Sequence, residues 1–339
     1  MLNVALIGYG YWGPNLARNL HQLPGCTFAA CCDLDATRLE KVAALYPGLH
    51  TTTDIDSLFA DAGIDGVVIA TPARSHYGLV KRALEAGKHV LVEKPIAMSS
   101  VETETLIALA EEQERVLMVG HTFEFNPAVL KIKSLIDSGA IGEVYYLYST
   151  RVNLGRVQQD LNALWSIAPH DISIMNFLLE SMPVEVSARG ARYLSGKVED
   201  VVFANLEYPN GVIAHIHASW LDPSKVRKMT IVGSHQMIIY DDIDAEGKVR
   251  VYDKGATRIN GTHEYGEFQY KLRSGDIYIP RIEMSEPLQN EVRHFANCIL
   301  TGEQPRTDGR NGLRVVRVLE AAERSAARAG APERIEPVA

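Results

Sequence analysis

Three glycines near the amino terminus have the spacing of a loop that binds the diphosphate of a dinucleotide. Gly8, Gly10 and Gly13 form a G-x-G-x-x-G pattern, which follows the apolar run Asn3 to Gly8 and precedes leucines at helical spacing. The first glycine makes a tight turn, the second lets the diphosphate approach the backbone, and the third lets helix and strand pack closely. The phosphate then lies at the helix N-terminus. We expect cofactor contacts from Gly8, Gly10, Tyr11, Trp12 and Gly13.

An acidic residue stands where it could hold the adenosine ribose of such a cofactor. Asp33 ends a second apolar run, Phe28 to Cys32, and follows Gly13 by 20 residues. A carboxylate there accepts hydrogen bonds from ribose hydroxyls and repels a 2′-phosphate. The sequence therefore predicts NAD as the cofactor in preference to NADP.

A lysine follows a later strand at the edge where doubly wound sheets bind their ligands. Glu93-Lys94-Pro95 comes directly after the apolar run His89 to Val92. Partial burial would lower the pKa of the lysine and fit it for proton transfer between an alcohol and a ketone. The alternative is a solvated lysine that merely follows a strand.

A histidine in the second half is a further candidate for proton transfer. His170 lies at the start of a helix expected from Pro169 to Leu179, and a helix N-terminus disfavours imidazolium. Ser166 could cap that helix. The alternative is a core histidine, because Ile174 and Phe177 share its helical face.

The elements that must position these residues change in character along the chain. Strand and helix alternate through the first third, which predicts a parallel sheet with helices on both faces. Strand-like runs then dominate and predict an α+β domain with a mainly antiparallel sheet. We expect a dinucleotide-binding domain over residues 1–122 and a substrate and oligomerisation domain over 123–339. The terminal helices, about Glu286 to Leu300 and Asn311 to Ala327, should return to the first domain. Lys254 to Glu283 should be an irregular loop on the substrate side.

Composition excludes several classes of protein. The 339 residues carry a net charge of -8, which argues against nucleic acid as the main partner. No apolar stretch approaches the length that spans a bilayer, and no signal peptide is recognisable, so a cytoplasmic protein is expected. The four cysteines lack zinc spacing, and His215 and His217 on one strand face are too few for a metal site, so no metal is predicted.

The same residues carry a resemblance to a known family. The chain resembles the Gfo/Idh/MocA oxidoreductases over nearly its whole length, through the glycine loop, Glu93-Lys94-Pro95 and Trp165 to Asp171. The other matching segments are Thr71-Pro72 with His76, Ala86 to Val90, Gly120-His121, Asn126-Pro127, Gly139 to Gly142, Trp220 to Pro223 and Glu286 to Leu288. The resemblance implies a Rossmann domain, an α+β domain with an open sheet, a nicotinamide cofactor, and sugar, sugar-nucleotide or cyclitol substrates.

The resemblance also implies roles for individual residues. Lys94 would be catalytic, Glu93 would help to hold the nicotinamide ribose, and the bond between Lys94 and Pro95 is often cis in such enzymes. His170 would lie near the reacting hydroxyl. Relatives often have Asp-x-x-x-His at this place, whereas Ser166 stands at the aspartate position here, so Ser166 or Asp171 could support the histidine. The nicotinamide side of the crevice would be lined by Thr71, Pro72 and His76.

The substrate expected from this resemblance is a nucleotide-linked hexose that reacts at C3. Arginine side chains suit phosphate recognition, and Arg151, Arg156 and Arg227 lie in second-domain strand regions. One alternative is a dehydrogenase of free cyclitols or monosaccharides, which needs no phosphate-binding arginines. Another is a non-catalytic NAD-sensing regulator on the same fold. A homodimer or homotetramer is expected, because open sheets in such domains often pair across subunits. The predicted substrate-binding residues are Lys94, Asn153, Arg156, Trp165 and His170.

Overall fold

The protein divides into two compact units. In a computed structural model the described residues are 1–155, 161–194, 196–258 and 270–338. Unit 1 is built mainly from Met1–Asn126 and Ser285–Glu320, and unit 2 from Pro127–Met284 and Ala321–Pro337.

Unit 1 contains a six-stranded parallel sheet in the strand order β3-β2-β1-β4-β5-β6. The strands are β1 Leu2–Ile7, β2 Cys26–Cys32, β3 His50–Thr52, β4 Gly66–Ile69, β5 His89–Glu93 and β6 Leu117–Gly120. The helices that alternate with them are α1 Gly13–Gln22, α2 Ala36–Leu45, α3 Ile55–Ala60, α4 His76–Glu85 and α5 Ser100–Glu112. The order reverses at β1, as in a doubly wound Rossmann sheet, and this confirms the predicted fold class.

Local sequence explains these elements. The residues of β4 and β6 are buried throughout, as the strands of a sheet covered on both faces must be. Asp35, Asp54 and Ser99 each accept a hydrogen bond from a backbone N–H of the first turn of α2, α3 and α5. Short 3₁₀ helices, Ala73–Ser75 and Thr122–Phe125, follow β4 and β6.

A helix from the end of the chain completes the core of unit 1. Helices α6 Pro127–Asp137 and α7 Ala163–Leu179, together with most strands of the unit 2 sheet, precede this helix, α8 Pro287–Thr301, in the chain. It is therefore far in sequence from the elements it packs on. Helix α8 contacts α1 and the 3₁₀ helix Thr122–Phe125. Its Leu288, Val292 and Phe295 belong to the same buried cluster as Leu6 and Leu16.

Unit 2 contains the nine-stranded mixed sheet, in the order β14-β13-β12-β11-β7-β10-β9-β8-β15. Among the described residues, β7 and β10 form a parallel pair and the other neighbours are antiparallel. The strands are β7 Val144–Val152, β8 Glu185–Ala191, β9 Val201–Glu207, β10 Ile213–Ser219, β11 Val226–Gly233, β12 Met237–Asp241, β13 Val249–Arg258, β14 Tyr270–Tyr278 and β15 Glu333–Arg334. The last helix of the chain is α9 Gly309–Ala327. The predicted α+β domain with a mainly antiparallel sheet is confirmed.

One expectation about unit 2 is wrong. The loop expected over Lys254 to Glu283 contains the end of β13 and all of β14, which pair in antiparallel register. β14 is the edge strand of the sheet and β13 is its neighbour, and most of β14 is exposed. The sequence of this segment therefore lacks the apolar alternation that marks a half-buried strand.

The two faces of the unit 2 sheet differ. Helix α7 contacts β7, β9 and β10 on one face. On the other face of these strands, large apolar side chains remain 42–56% exposed. They are Tyr146, Tyr148, Phe203 and Ile213. None of the helices in the described part of the chain combines the length and apolar content needed to cross a bilayer.

Candidate active site

The three loop glycines each meet a different steric demand. Gly8 has φ +99°, and a Cβ there would lie 2.7 Å from the carbonyl oxygen of Ala70. A Cβ on Gly13 would lie 2.5 Å from the carbonyl oxygen of Gly8. Gly10 is open, because the nearest atom to its Cβ would be on Arg38 at 3.8 Å. Turn, open approach and close packing are therefore divided among the glycines in the order that a dinucleotide loop needs.

Asp33 is held beside this loop. Its Oδ2 accepts a hydrogen bond of 2.6 Å from the backbone N–H of Tyr9, and its Oδ1 accepts one of 2.8 Å from that of Asp35. The guanidinium of Arg38 lies 3.4 Å from Oδ2. The carboxylate is thus fixed at the end of β2, and residues of this loop and Asp33 fit the diphosphate and ribose of a dinucleotide.

The Glu-Lys-Pro segment lies at the carboxyl end of β5. Glu93 is the last residue of the strand, Lys94 follows it partly exposed, and the bond from Lys94 to Pro95 is cis, as predicted. Burial raises the pKa of Glu93 to about 7. The charge of Lys94, its backbone N–H and the Trp12 side chain, which donates a hydrogen bond to the carboxyl, all oppose that increase in pKa. Trp12 of the glycine loop and Glu93 are therefore brought together.

The residues predicted to line the nicotinamide side differ in exposure. Pro72 is exposed, and Thr71 is half-buried with its Oγ1 2.7 Å from Oγ of Ser75. His76 is buried, with Nδ1 2.7 Å from the carbonyl oxygen of Pro95 and Nε2 2.9 Å from that of Thr71. Tyr11, by contrast, is 85% exposed on the glycine loop.

Two buried polar residues that interact with the Glu-Lys-Pro segment were not among the predicted site residues. Burial and the charge of Lys94 lower the pKa of His121, which follows β6, to about 3. Glu291 of α8 is fully buried, and burial together with the charge of Glu93 raises its pKa well above the ordinary value. Its Oε2 accepts a hydrogen bond of 2.9 Å from Thr122. The position of His121 directly after an apolar strand was a signal that the sequence offered. Glu291 lies far in sequence from the other site residues, so no local pattern could identify it.

Helix α7 in unit 2 begins earlier than expected. It starts at Ala163, and the side chain of Asn162 caps it by accepting a 3.0 Å hydrogen bond from the N–H of Trp165. Pro169 lies inside the helix, so His170 is not at the helix N-terminus. The prediction that a helix N-terminus keeps the His170 ring uncharged is therefore wrong. The cause of the error is Pro169, which is typical of a first turn but is tolerated here within a helix.

Two of the arginines considered for phosphate recognition have internal partners. Arg151 lies within β7 and forms a buried bidentate ion pair with Asp171 of α7, through bonds of 2.9 and 3.1 Å. Arg227 of β11 lies 3.4 Å from Asp242. Asp171 therefore bonds to an arginine of the sheet, and Arg151 is not open to an exposed phosphate.

The remaining predicted substrate residues belong to unit 2 or fall outside the described residues. Asn153 follows β7 and is half-buried. Trp165 is buried, and its indole N–H donates a 3.3 Å hydrogen bond to Glu323. His170 is half-buried in the middle of α7. Arg156 falls outside the described residues.

The described residues contain no group of three or more His, Cys, Asp or Glu side chains able to hold a metal ion. His215 and His217 instead stack against Phe203, with ring centroids 6.2 and 4.4 Å away. Nδ1 of His215 also lies 2.8 Å from Oδ1 of Asn205.

The parallel sheet, the glycine loop and Asp33 define a dinucleotide-binding α/β protein with a lysine at the ligand edge of its sheet. Residues 2–121 match a model described as an oxidoreductase family with an NAD-binding Rossmann fold, and residues 129–239 match the Gfo/Idh/MocA C-terminal domain. Together these matches cover more than half of the chain. The chain belongs to the Gfo/Idh/MocA family of oxidoreductases, whose first domain is an NAD-binding Rossmann fold.

Similar proteins extend along almost the whole chain. UDP-N-acetylglucosamine 3-dehydrogenase of Acidithiobacillus ferrooxidans is 26% identical over 93% of this chain and 94% of its own. D-apiose dehydrogenase of Rhizobium rhizogenes is 26% identical over 96% of this chain and 95% of its own. The solved structure of GenD2 from gentamicin A biosynthesis, in complex with NAD, superposes with a TM-score of 0.83 at 24% identity and covers 99% of this chain and 97% of that one.

Proposed function

We propose that this enzyme transfers a hydride between NAD and C3 of a nucleotide-linked hexose, with Lys94 as the proton donor and acceptor. The observation that carries the chemistry is the position of Lys94, partly exposed at the carboxyl end of β5 in a sheet whose first loop fits a dinucleotide. Similarity to a UDP-N-acetylglucosamine 3-dehydrogenase along nearly the full chain supports the substrate class.

The reaction balances with a single proton acceptor. In the oxidation, neutral Lys94 takes the hydroxyl proton while the substrate carbon loses its hydride and becomes a carbonyl carbon. NAD, when bound, would supply the hydride acceptor. In the reduction, the Lys94 ammonium donates the proton to the new alkoxide oxygen. The loop glycines and Asp33 orient the cofactor, which lowers the entropic part of the barrier. His170 is a second candidate for contact with the reacting hydroxyl.

A lysine variant tests the chemistry. Lys94→Ala should bind NAD with the affinity of the parent protein and lose about 10²–10⁴-fold in kcat, because general acid–base catalysis contributes that much. Lys81→Ala on α4 is the matched control, since the side chain of Lys81 is 44% exposed and forms a 3.8 Å ion pair with Glu85. Near-normal turnover by Lys94→Ala would refute the assignment of Lys94.

A specific observation favours a second candidate substrate class, the free monosaccharides and cyclitols. Arg151 is buried against Asp171 and Arg227 lies beside Asp242, so two arginines considered for a nucleotide diphosphate already have carboxylate partners. Similarity to D-apiose dehydrogenase is equally extensive.

A panel of substrates separates the two classes. The protein is mixed with NAD and, one at a time, nucleotide hexoses, free sugars and inositols, and NADH is followed by its absorbance. Turnover restricted to nucleotide hexoses supports the first class. Turnover with free sugars or inositols and none with nucleotide hexoses replaces it with the second.

We also propose that two copies of the chain pair through the exposed face of the unit 2 sheet. Tyr146, Tyr148, Phe203 and Ile213 are large apolar side chains that are 42–56% exposed on one face of neighbouring strands, and contiguous exposed apolar residues mark interaction surfaces. Phe203→Glu should lower the mass measured by analytical ultracentrifugation, whereas Leu45→Glu, at an exposed apolar position of unit 1, should leave it unchanged. A monomeric parent protein would overturn the proposal.

A further inference from the structure

His76 connects the ends of two neighbouring strands at the ligand edge of unit 1. It begins α4, is 1% exposed, and its two ring nitrogens face two backbone carbonyl oxygens. Nδ1 lies 2.7 Å from the oxygen of Pro95, the residue after Lys94, and Nε2 lies 2.9 Å from that of Thr71, two residues after β4. A buried side chain with both nitrogens against backbone has no face left for a ligand.

The charge of the ring is limited by its surroundings. A carbonyl oxygen only accepts hydrogen bonds, so the ring donates to both oxygens as imidazolium and to one as neutral imidazole. Burial and the charge of Lys94 lower the pKa of His76. The N-terminus of α4 also disfavours a positive charge. These effects favour the neutral ring, in which a single N–H is available, and the shorter contact is the one to Pro95.

We propose that His76 is a positioning residue for Lys94: Nδ1–H donates to the carbonyl of Pro95 and fixes the backbone from which the lysine side chain projects. This inference rests on the proposed function, because it assigns His76 a role in directing the Lys94 amine. It replaces the expectation that His76 lines the nicotinamide itself. A shift of about 1 Å at a reacting group can reduce a rate about 10²-fold.

The two ring nitrogens can be replaced one at a time. An asparagine amide stands where Nδ1 of histidine stands, and a glutamine amide reaches the position of Nε2. His76→Asn therefore keeps a donor toward Pro95, whereas His76→Gln places its donor toward Thr71 instead. His76→Phe keeps an aromatic ring and removes both nitrogens. The three variants separate the contact with the lysine segment from the contact with the segment after β4.

The first measurement is steady-state kinetics together with NAD binding by calorimetry. We expect His76→Asn to retain kcat within about 3-fold, and His76→Gln and His76→Phe to lose about 10- to 100-fold in kcat. NAD affinity should stay within about 3-fold of the parent in His76→Gln, so that its defect lies in kcat alone. Equal kcat for His76→Asn and His76→Gln would overturn the proposal, whatever either variant does to stability.

The second measurement does not require Lys94 to be catalytic. Reductive methylation of Lys94 across a pH series, read by mass spectrometry, gives the pH at which its amine becomes reactive. That pH should match the parent in His76→Asn and shift in His76→Gln. If Lys94→Ala turns over normally, the proposed function fails and this labelling still judges His76. If Lys94→Ala is inactive and neither kcat nor labelling separates Asn from Gln, the His76 proposal alone fails.

Discussion

The buried ion pair between Arg151 and Asp171 should be the most costly polar interaction of unit 2 to break. Its side chains are 9% and 3% exposed, and its two hydrogen bonds join helix α7 to strand β7. Asp171→Asn removes the negative charge and leaves the guanidinium buried. Removal of one partner from a buried pair generally costs about 3–5 kcal/mol.

The structure places this pair at the lower end of that range. Burial opposes the charge of Arg151, the carboxylate of Asp171 favours it most, and the carboxylate of Asp242 favours it as well, so part of the charge stays compensated when Asp171 becomes neutral. We therefore expect Asp171→Asn to lower the free energy of unfolding by about 3 kcal/mol. For a unit of this size that corresponds to about 6–12 °C in Tm.

Urea unfolding followed by tryptophan fluorescence measures this loss, because Trp165 and Trp220 are both buried in unit 2. Glu85→Gln breaks the exposed pair with Lys81 and is the control, with an expected change of under about 0.5 kcal/mol.

A double replacement separates charge burial from lost packing. Arg151→Met combined with Asp171→Leu removes both charges and should recover most of the stability, since apolar residues of similar volume often replace a buried pair without loss. A loss below about 1 kcal/mol for Asp171→Asn alone would show that the charge is not buried as described.

The remaining predictions concern unit 1. Gly10→Ala should abolish NAD binding and leave the Tm unchanged. Gly13→Ala, whose Cβ would overlap the Gly8 carbonyl, should lower both the NAD affinity and the Tm. Equal Tm values for the two variants would contradict this difference. Asp33→Ala should lose about 10-fold in NAD affinity and gain relative affinity for NADP, and a parent protein that binds both cofactors equally would refute the role of Asp33. Burial raises the pKa of Glu93 from 4.5 to about 7, so the folded state favours the protonated carboxyl. This favourable contribution to the free energy of unfolding, about 3 kcal/mol, is fully present below pH 4.5 and is lost as pH rises through 7. Glu93→Gln should therefore gain stability relative to the parent between pH 5 and pH 8 in urea unfolding, and a constant difference would refute it.

Unit 1 could be predicted because its signals are local. The buried strands are continuous apolar runs, the glycines and Asp33 are separated by characteristic distances, and the segment around Lys94 follows directly from its strand. Each of these features depends on residues that are close in sequence or that follow one another at a fixed spacing, so a sequence pattern is enough to predict it.

Contacts between distant segments could not be predicted in the same way. The sequence spacing of Arg151 and Asp171 does not reveal that helix α7 packs on strand β7 and brings the two side chains together. The position of His76 suggested a ligand contact, and only the fold shows both of its nitrogens against backbone carbonyls. The sequence predicts that α7 begins at Pro169, because proline is a stronger signal for a helix start than Asn162. The helix begins at Ala163 instead, and Asn162 caps it.

The composition of the unit 1 core has a consequence for the order in which the protein can fold during synthesis. Leu16 and Leu20 of α1 share one cluster with Val292 and Phe295 of α8, yet residues 23–286 of the chain lie between these helices. At about 5–20 residues per second, a ribosome needs about 15–50 s to make that intervening stretch. Throughout that interval α1 can pack on β1 and β2 but lacks its partners on α8. We therefore expect the nascent amino-terminal segment to depend on chaperones, and its yield to fall when translation pauses between the two helices.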